Sequence, residues 1–450
     1  MADRLVVIGG DAAGMTAATN ARRGAPGLEI VVLEKGPDTS YSACGIPYVV
    51  SGEVDELDDL VVRTPQEFRD QFNIDVRTRH EVTSIDLDAR RVEVRALDQA
   101  RTLTLGFDLL HVATGARPLR PDLPGIDGPR IHGVQTLADT RSMLDAVGER
   151  RCRDIVVVGA GYIGLEMAEA FIRRGARVTM VDSGPQPMRS LDPDLGVKVA
   201  EAVRRFGVDL RTGVDVQGFG PDVVHTTDGD LHADLTILGL GVRPNSDLAV
   251  EAGLAAGAAG AIQVDHRART DHDGIYAAGD CADSVHMVSH RRVYVALGTV
   301  ANKTGRVAGI NLGGGYATFP GVLGTAVTRL CNVEVARTGL NEREATEAGI
   351  EYVVGRAQST TRAAYYPGAE PLDVKVLAER GTGRLLGGQV VGADRAGKRI
   401  DVVATAITAG MTASEFGDLD LAYAPAVSPI WEPFQLATRD AVSALKAQPT

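Results

Sequence analysis

Cys44 lies in the stretch Ser40-Tyr41-Ser42-Ala43-Cys44-Gly45-Ile46-Pro47-Tyr48, where Gly45 and Pro47 exclude a long regular element and frame the thiol in a turn. Cysteine is often no more than core filling, but a framed thiol is also a candidate nucleophile, able to attack a disulfide or cycle through a sulfenic acid. Upstream, Gly9-Gly10-Asp11-Ala12-Ala13-Gly14 follows the apolar run Leu5 to Ile8 and precedes a helix predicted from Met15 to about Arg23. Glycines in such a turn bring the backbone close to a pyrophosphate, and the helix N-terminus receives its charge. A second predicted strand, Leu28 to Leu33, ends at Glu34, where a carboxylate can accept both ribose hydroxyls. Asp11 takes the place usually held by the middle glycine.

The pattern returns complete as Gly159-Ala160-Gly161-Tyr162-Ile163-Gly164 behind Asp154 to Val158, and its next strand, Ala176 to Val181, ends at Asp182. Two such turns mean two dinucleotides, more specific than either turn alone. Asp182 favours NADH, while Arg189 close by leaves NADPH open.

Composition narrows the class further. The chain has 450 residues, 44% of them hydrophobic, enough for two to four domains with buried cores. A net charge of -12 without a dense Lys/Arg cluster argues against nucleic acid. The four cysteines lack the spacing of a zinc site or a secreted disulfide framework, so no metal is expected and Cys152, Cys281 and Cys331 read as packing. No apolar run approaches the roughly 18 residues of a membrane span, and the first residues lack a signal-peptide core. A soluble cytoplasmic protein is expected.

Between the turns, Val76 to about Leu110 alternates as short antiparallel strands leading to Leu109 to Pro118, in which Ala113-Thr114-Gly115 marks an exit from one domain. Leu235 to Asn245, containing Gly241, reads as the return strand. Gly274 to Asp280 is a short strand ending in Gly279-Asp280, a turn former whose carboxylate could bond a ribityl or phosphate-side hydroxyl. From about Gly324 the pattern becomes α+β, with strands at Val333 to Ala336, Tyr352 to Val354 and Leu372 to Val376 and a helix from Arg399 to Ala409. It carries Tyr365-Tyr366-Pro367-Gly368 and Leu421-Ala422-Tyr423-Ala424-Pro425, proline-flanked tyrosines of turn or interface type.

Together, the first turn with Glu34, Cys44-Gly45-x-Pro47-Tyr48, Ala113-Thr114-Gly115, the second turn and Gly279-Asp280 resemble the flavoprotein pyridine nucleotide-disulfide reductases over essentially the whole chain. A single cysteine in S-x-x-x-C-G-x-P-Y is similar to the coenzyme A-disulfide reductase and NADH oxidase/peroxidase branch. The resemblance implies an α/β chain with two Rossmann-like domains, FAD on 1–115 with 246–323 and NADH or NADPH on 116–245, plus an α+β dimerisation domain on 324–450. It implies a cofactor-binding set that includes Gly9, Gly10, Ala13, Gly14, Glu34, Lys35, Ser40 and Pro47, then Ala113, Thr114 and Gly115. The set continues with Gly159, Gly161, Tyr162, Ile163, Gly164 and Asp182, then Gly241, Gly279 and Asp280, with Tyr162 covering the nicotinamide pocket. Cys44 becomes the redox thiol, and Tyr423 with Tyr365 or Tyr366 reaches across a homodimer to the substrate sulfur. Ala12 stands where peroxidases and oxidases of the branch commonly carry histidine, which points away from a dedicated peroxidase. A rhodanese-like extension is not expected.

The expected activity is NAD(P)H-driven reduction of a small disulfide, coenzyme A-based or a related persulfide. Cys44 is expected as a thiolate, with positive dipole and flavin lowering its pKa from about 8.5 toward roughly 3.5 to 7.5. One cysteine cannot close an internal disulfide, so the substrate supplies the second sulfur, or Cys44 cycles as a sulfenate in an NAD(P)H oxidase or peroxidase. A flavoprotein electron-transfer reductase for a protein partner, or a flavin-loaded sensor, is the remaining alternative.

Overall fold

Arg4–Ile8 forms the centre of a five-stranded parallel sheet, and alternate residues feed two cores: Leu5 and Val7 pack on one face, Val6 and Ile8 on the other. Each is 5% exposed or less, which accounts for the unbroken apolar run. The computed structural model describes residues 3–150 and 152–447; Met1, Ala2 and 448–450, which bound the expected first and third units, lie outside the described residues. The first sheet takes Arg4–Ile8, Glu29–Leu33 and Asp75–Arg77 on one side and Leu109–Val112 and then Ile275–Ala277 on the other. Residues far along the chain thus complete a sheet begun at its start.

A second parallel sheet is built likewise around Asp154–Val158, flanked by Arg177–Asp182 with Asp209–Thr212 and by Leu235–Leu238 with Ile131–Gly133. Two separate antiparallel sheets, His80–Asp86 with Arg91–Ala96 and Arg101–Gly106, and Val216–Phe219 with Val223–Thr226 and Gly229–His232, lie beside Glu29–Leu33 and Asp154–Val158 respectively. Where the chain passes between the units, Ala116–Pro118 pairs antiparallel with Val242–Pro244.

The third unit is an antiparallel sheet in the order Ala326–Leu330, Val333–Gly339, Leu385–Ala393, Pro371–Glu379, Tyr352–Thr360. Ile400–Thr408 and Pro433–Lys446 bury Val403, Phe434, Ala437 and Ala441 in its core. No helix among the described residues is long and apolar enough to cross a membrane.

Candidate active site

The two glycine turns are built alike. Gly9 at φ +107° and Gly159 at φ +103° are left-handed, and a Cβ on either would lie 2.1 Å from Ala113 O or 2.4 Å from Gly239 O. A Cβ on Gly14 or Gly164 would stand 2.0 Å from the carbonyl of Gly9 or Gly159, so each first helical turn seats directly on its strand exit. Of the glycines in the two turns, Gly161 alone faces open space, with nothing within 4 Å of its Cβ position; its counterpart Asp11 accepts no hydrogen bond from the helix it precedes and accepts instead from Tyr41 N–H at 3.1 Å.

Glu34 and Asp182 are held identically. Glu34 accepts from Gly10 N–H at 2.7 Å and Gly36 N–H at 2.6 Å, and Asp182 accepts from Ala160 and Gly184 N–H, both at 2.7 Å. Each carboxylate is immobilised with lone pairs left over for ribose hydroxyls.

Asp280 supplies the test of whether a flavin dinucleotide fits. Its Oδ1 is buried without a donor, burial pushes its carboxyl up to about 6, and a Cβ on Gly279 would lie 2.7 Å from Ala13 Cβ. A buried acceptor beside the first turn, where the backbone leaves no room for a side chain, suits a hydroxyl brought by a ligand. The residues present fit FAD.

Cys44 sits in a 3-10 turn, Ala43–Gly45, that runs into the short helix Ile46–Ser51 with Pro47 in its first turn. Pro47 opens this six-residue element, because a proline costs nothing where the helix has no N–H partner to lose, and no long element forms around the thiol. Gly45 packs under Leu60, whose terminal methyl would lie 2.3 Å from a Cβ placed there. The loop is tied to the first turn by Thr39 Oγ1 and Ser40 N–H, both donating to Gly10 O, and Ser40 takes a positive φ of 51°.

Cys44 as a residue is exposed, while its sulfur is sheltered toward the helix Gly298–Leu312: a Cβ placed on Gly298 would stand 4.0 Å from it. Burial, then the carboxylates of Glu166, Asp280 and Asp11, push the Cys44 thiol above its ordinary range, against a weaker pull from backbone hydrogen bonding. The three charges acting most on the thiol are negative, so these side chains do not favour the thiolate expected from the sequence. Gly298, beside the sulfur, opens the helix Gly298–Leu312, and a helix N-terminus carries a positive partial charge.

That helix is locked to Ala12–Gly24 at backbone distance. A Cβ on Gly305 would meet Ala13 O at 2.5 Å, one on Gly309 would meet Ala17 O at 2.4 Å, and one on Gly313 would meet Ala21 O at 2.9 Å. The contacts advance in step, so the helices run parallel and present both N-termini at the same end.

Other predicted residues fall variously. Thr114 Oγ1 donates to Asn245 O at 2.5 Å and Thr114 O accepts from Asn245 Nδ2 at 2.9 Å, a tie across the domain passage; Gly115 and Gly241 take positive φ there. Lys35 is exposed and paired with Glu81 at 2.7 Å. Tyr162 and Ile163 open the second helix, Tyr162–Arg173, and the buried Tyr162 hydroxyl lies beside Ser190 without a well-formed bond. Tyr365, Tyr366 and Tyr423 are 78%, 37% and 45% exposed, and desolvation and the Tyr365 hydroxyl raise the Tyr423 pKa.

Three groups were not singled out in sequence. Glu166, one helical turn after Tyr162, accepts from Thr328 at 2.8 Å and is the first charge acting on Cys44. Gly298 flanks the sulfur, and Tyr294 donates to Asp280 O at 2.9 Å. The i, i+4 spacing of Tyr162 and Glu166 on a helix opened by a glycine turn was the available signal.

Residues 3–305 match the family described as pyridine nucleotide-disulphide oxidoreductase, and residues 325–433 match its dimerisation domain. The chain is 38% identical over 440 residues to an NAD(P)H sulfur oxidoreductase (CoA-dependent) of Pyrococcus abyssi, covering 97% of each. It is 36% identical over 448 residues to an NADH oxidase of Methanocaldococcus jannaschii, covering 98% of this chain and 99% of the other. The solved structure of an NAD-dependent persulfide reductase from A. fulgidus superposes with a TM-score of 0.95 at 37% identity, over 98% of this chain and 83% of that one.

Proposed function

The chain belongs to the pyridine nucleotide-disulphide oxidoreductase family and is an FAD-dependent NAD(P)H oxidoreductase; on that premise we propose that it reduces a small coenzyme A-based disulfide or persulfide through Cys44. The observation that carries the reading is an exposed cysteine whose sulfur lies beside Gly298, under the field of Asp280 and Glu166, with no second cysteine on its loop.

When bound, FAD supplies two-electron chemistry between the nicotinamide and sulfur. In the proposal 1–115 with 246–323 holds FAD, 116–245 holds NADH or NADPH, and 324–450 pairs two copies of the chain. Gly9, Gly10 and Gly14 admit the flavin's pyrophosphate, while Glu34 and Asp280 accept its hydroxyls. The second turn with Asp182 holds the nicotinamide nucleotide, and Tyr162 and Glu166 line its pocket.

Cys44 attacks one sulfur of the substrate as a thiolate, forming a mixed disulfide and expelling the first thiol. A tyrosine hydroxyl from the second copy, Tyr423 or its neighbours Tyr365 and Tyr366, gives the leaving sulfur its proton. Since burial and three carboxylates favour the protonated thiol, attack accelerates as pH rises. A reducing cytoplasm suits the thiol chemistry proposed for Cys44.

A second reading, an NADH oxidase cycling a Cys44 sulfenate, is favoured by the Methanocaldococcus relative. Anaerobic titration with NADH and NADPH, followed by mass spectrometry of whatever is attached to Cys44, separates the two. A coenzyme A adduct supports the disulfide reading; a sulfenate without any thiol adduct overturns it.

A further inference from the structure

A partly buried charge cluster, with Lys375 and Asp192 inside and Asp194 and Glu342 at its open edge, joins the second and third units. Lys375, 1% exposed, places its ammonium 2.9 Å from Asp192 and 2.8 Å from Asp194 and also contacts Glu342. These three acids are spaced as a cation site, and the lysine fills it. Gln389 accepts from Asp192 N–H at 2.8 Å and donates to its carboxylate at 2.7 Å, and Glu342 N–H adds a bond of 2.9 Å. Two residues earlier, Ser190 O accepts from Arg337 at 2.8 Å and from Asn341 at 3.1 Å.

Buried ion clusters are weak evidence for stability, because apolar replacements often serve as well, so position is what this one specifies. The held segment returns to the second glycine turn, where Met188 N–H donates to Ala160 O at 2.8 Å. Between these anchors stands Arg189, 3.9 Å from Asp182 and lying over Gly184, whose Cβ would meet Arg189 Cδ at 2.5 Å.

We propose that Arg337, Asn341 and Lys375 are positioning residues for NADPH: by clamping Ser190 and Asp192 they hold Arg189 at the ribose end of the second turn. There its guanidinium receives a 2′-phosphate that Asp182 alone would repel. The proposal rests on the reading of the second turn as the nicotinamide nucleotide site. The third unit then sets nucleotide choice in the second, without touching the nucleotide.

The deciding variant is the double substitution Arg337→Lys with Asn341→Ser. It keeps a positive charge for Glu344 and a capping oxygen for the helix Glu342–Ala348, but weakens both bonds to Ser190 O. Holoenzyme kcat/KM is measured for NADPH and NADH with coenzyme A disulfide as acceptor, alongside Arg189→Gln. The expected result is a fall of about fivefold or more in the NADPH-over-NADH ratio in both proteins, the lower end of common inter-site coupling, with KM for the disulfide unchanged. Lys375→Met is expected to shift the ratio the same way; should it not fold, the double variant decides alone.

A ratio within twofold of the parent, equal losses for both nucleotides, or a parent that uses NADH only would overturn the proposal. If neither nucleotide reduces the parent flavoprotein, it is the assignment of the second turn that fails.

Discussion

Gly309→Ala sets two opposed effects against each other. Alanine inside a helix is worth about 0.5–1 kcal/mol over glycine, so propensity alone makes the variant more stable. Its Cβ, however, would stand 2.4 Å from Ala17 O and 2.8 Å from Ala17 Cα, where ordinary contact begins near 3.4 Å. The helices Ala12–Gly24 and Gly298–Leu312 must separate by about 1 Å, and overpacking of this kind costs about 1–3 kcal/mol. The loss wins by up to about 2 kcal/mol, or a melting temperature lower by up to about 8 °C at 2–4 °C per kcal/mol. Gly305→Ala behaves similarly, and Gly313→Ala, with 2.9 Å to Ala21 O, is milder. Because the displaced helix also carries Gly298 away from Cys44, flavin release on heating begins earlier. Calorimetry with flavin fluorescence reads both. A Gly309→Ala protein melting at or above the parent temperature, with flavin retained, would refute the idea that backbone contact positions this helix.

Cys44→Ser should abolish disulfide reduction while leaving NADH-driven bleaching of the flavin intact; retained disulfide turnover contradicts the proposed role. Burial dominates the upward shift of Cys44 and Glu166 is the largest charge behind it, so Glu166→Gln should make iodoacetamide alkylation at pH 7 faster and move its pH profile down. Asp280 has a folded pKa raised from 3.8 to about 6, so the folded state binds the extra proton and stability falls as pH climbs through that window. In flavin-stripped protein Asp280→Asn should therefore stabilise at pH 7.5 by up to about 3 kcal/mol, shrinking toward nothing near pH 4, as followed by denaturant melts. Tyr423→Phe should slow disulfide reduction by about 10²-fold, with flavin reduction by NADH unchanged in stopped flow.

The parallel-sheet strands were legible because a strand covered on both faces must be apolar at every position, as Leu5 to Ile8 and Ile155 to Val158 are. The two turns were legible because only glycine fits at Gly9 and Gly159. Leu385–Ala393, the middle strand of the third sheet, was not, since Gly387, Gly388 and Gly392 mimic a loop. In the fold they are close-packing positions: a Cβ on Gly387 would sit 1.9 Å from Leu340 O. The same disguise hid the helix Gly298–Leu312. The electrostatics of Cys44 could not be read locally, because burial leads the upward shift and Glu166, Asp280 and Asp11, which add to it, come from distant stretches of chain.

The antiparallel pairing of Ala116–Pro118 with Val242–Pro244 leaves the two ends of the intervening segment side by side, stapled by Thr114 and Asn245. Chain leaving the first sheet comes back within roughly 5 Å of where it departed. A cassette with adjacent ends can be excised or exchanged by joining the flanks through a few residues, without asking the host sheet to change its strand order. Such a neck makes the segment between Pro118 and Val242 an insertion that lends no strand to the first sheet, while its ties to the third unit through Ser190 and Asp192 would have to be remade in any exchange.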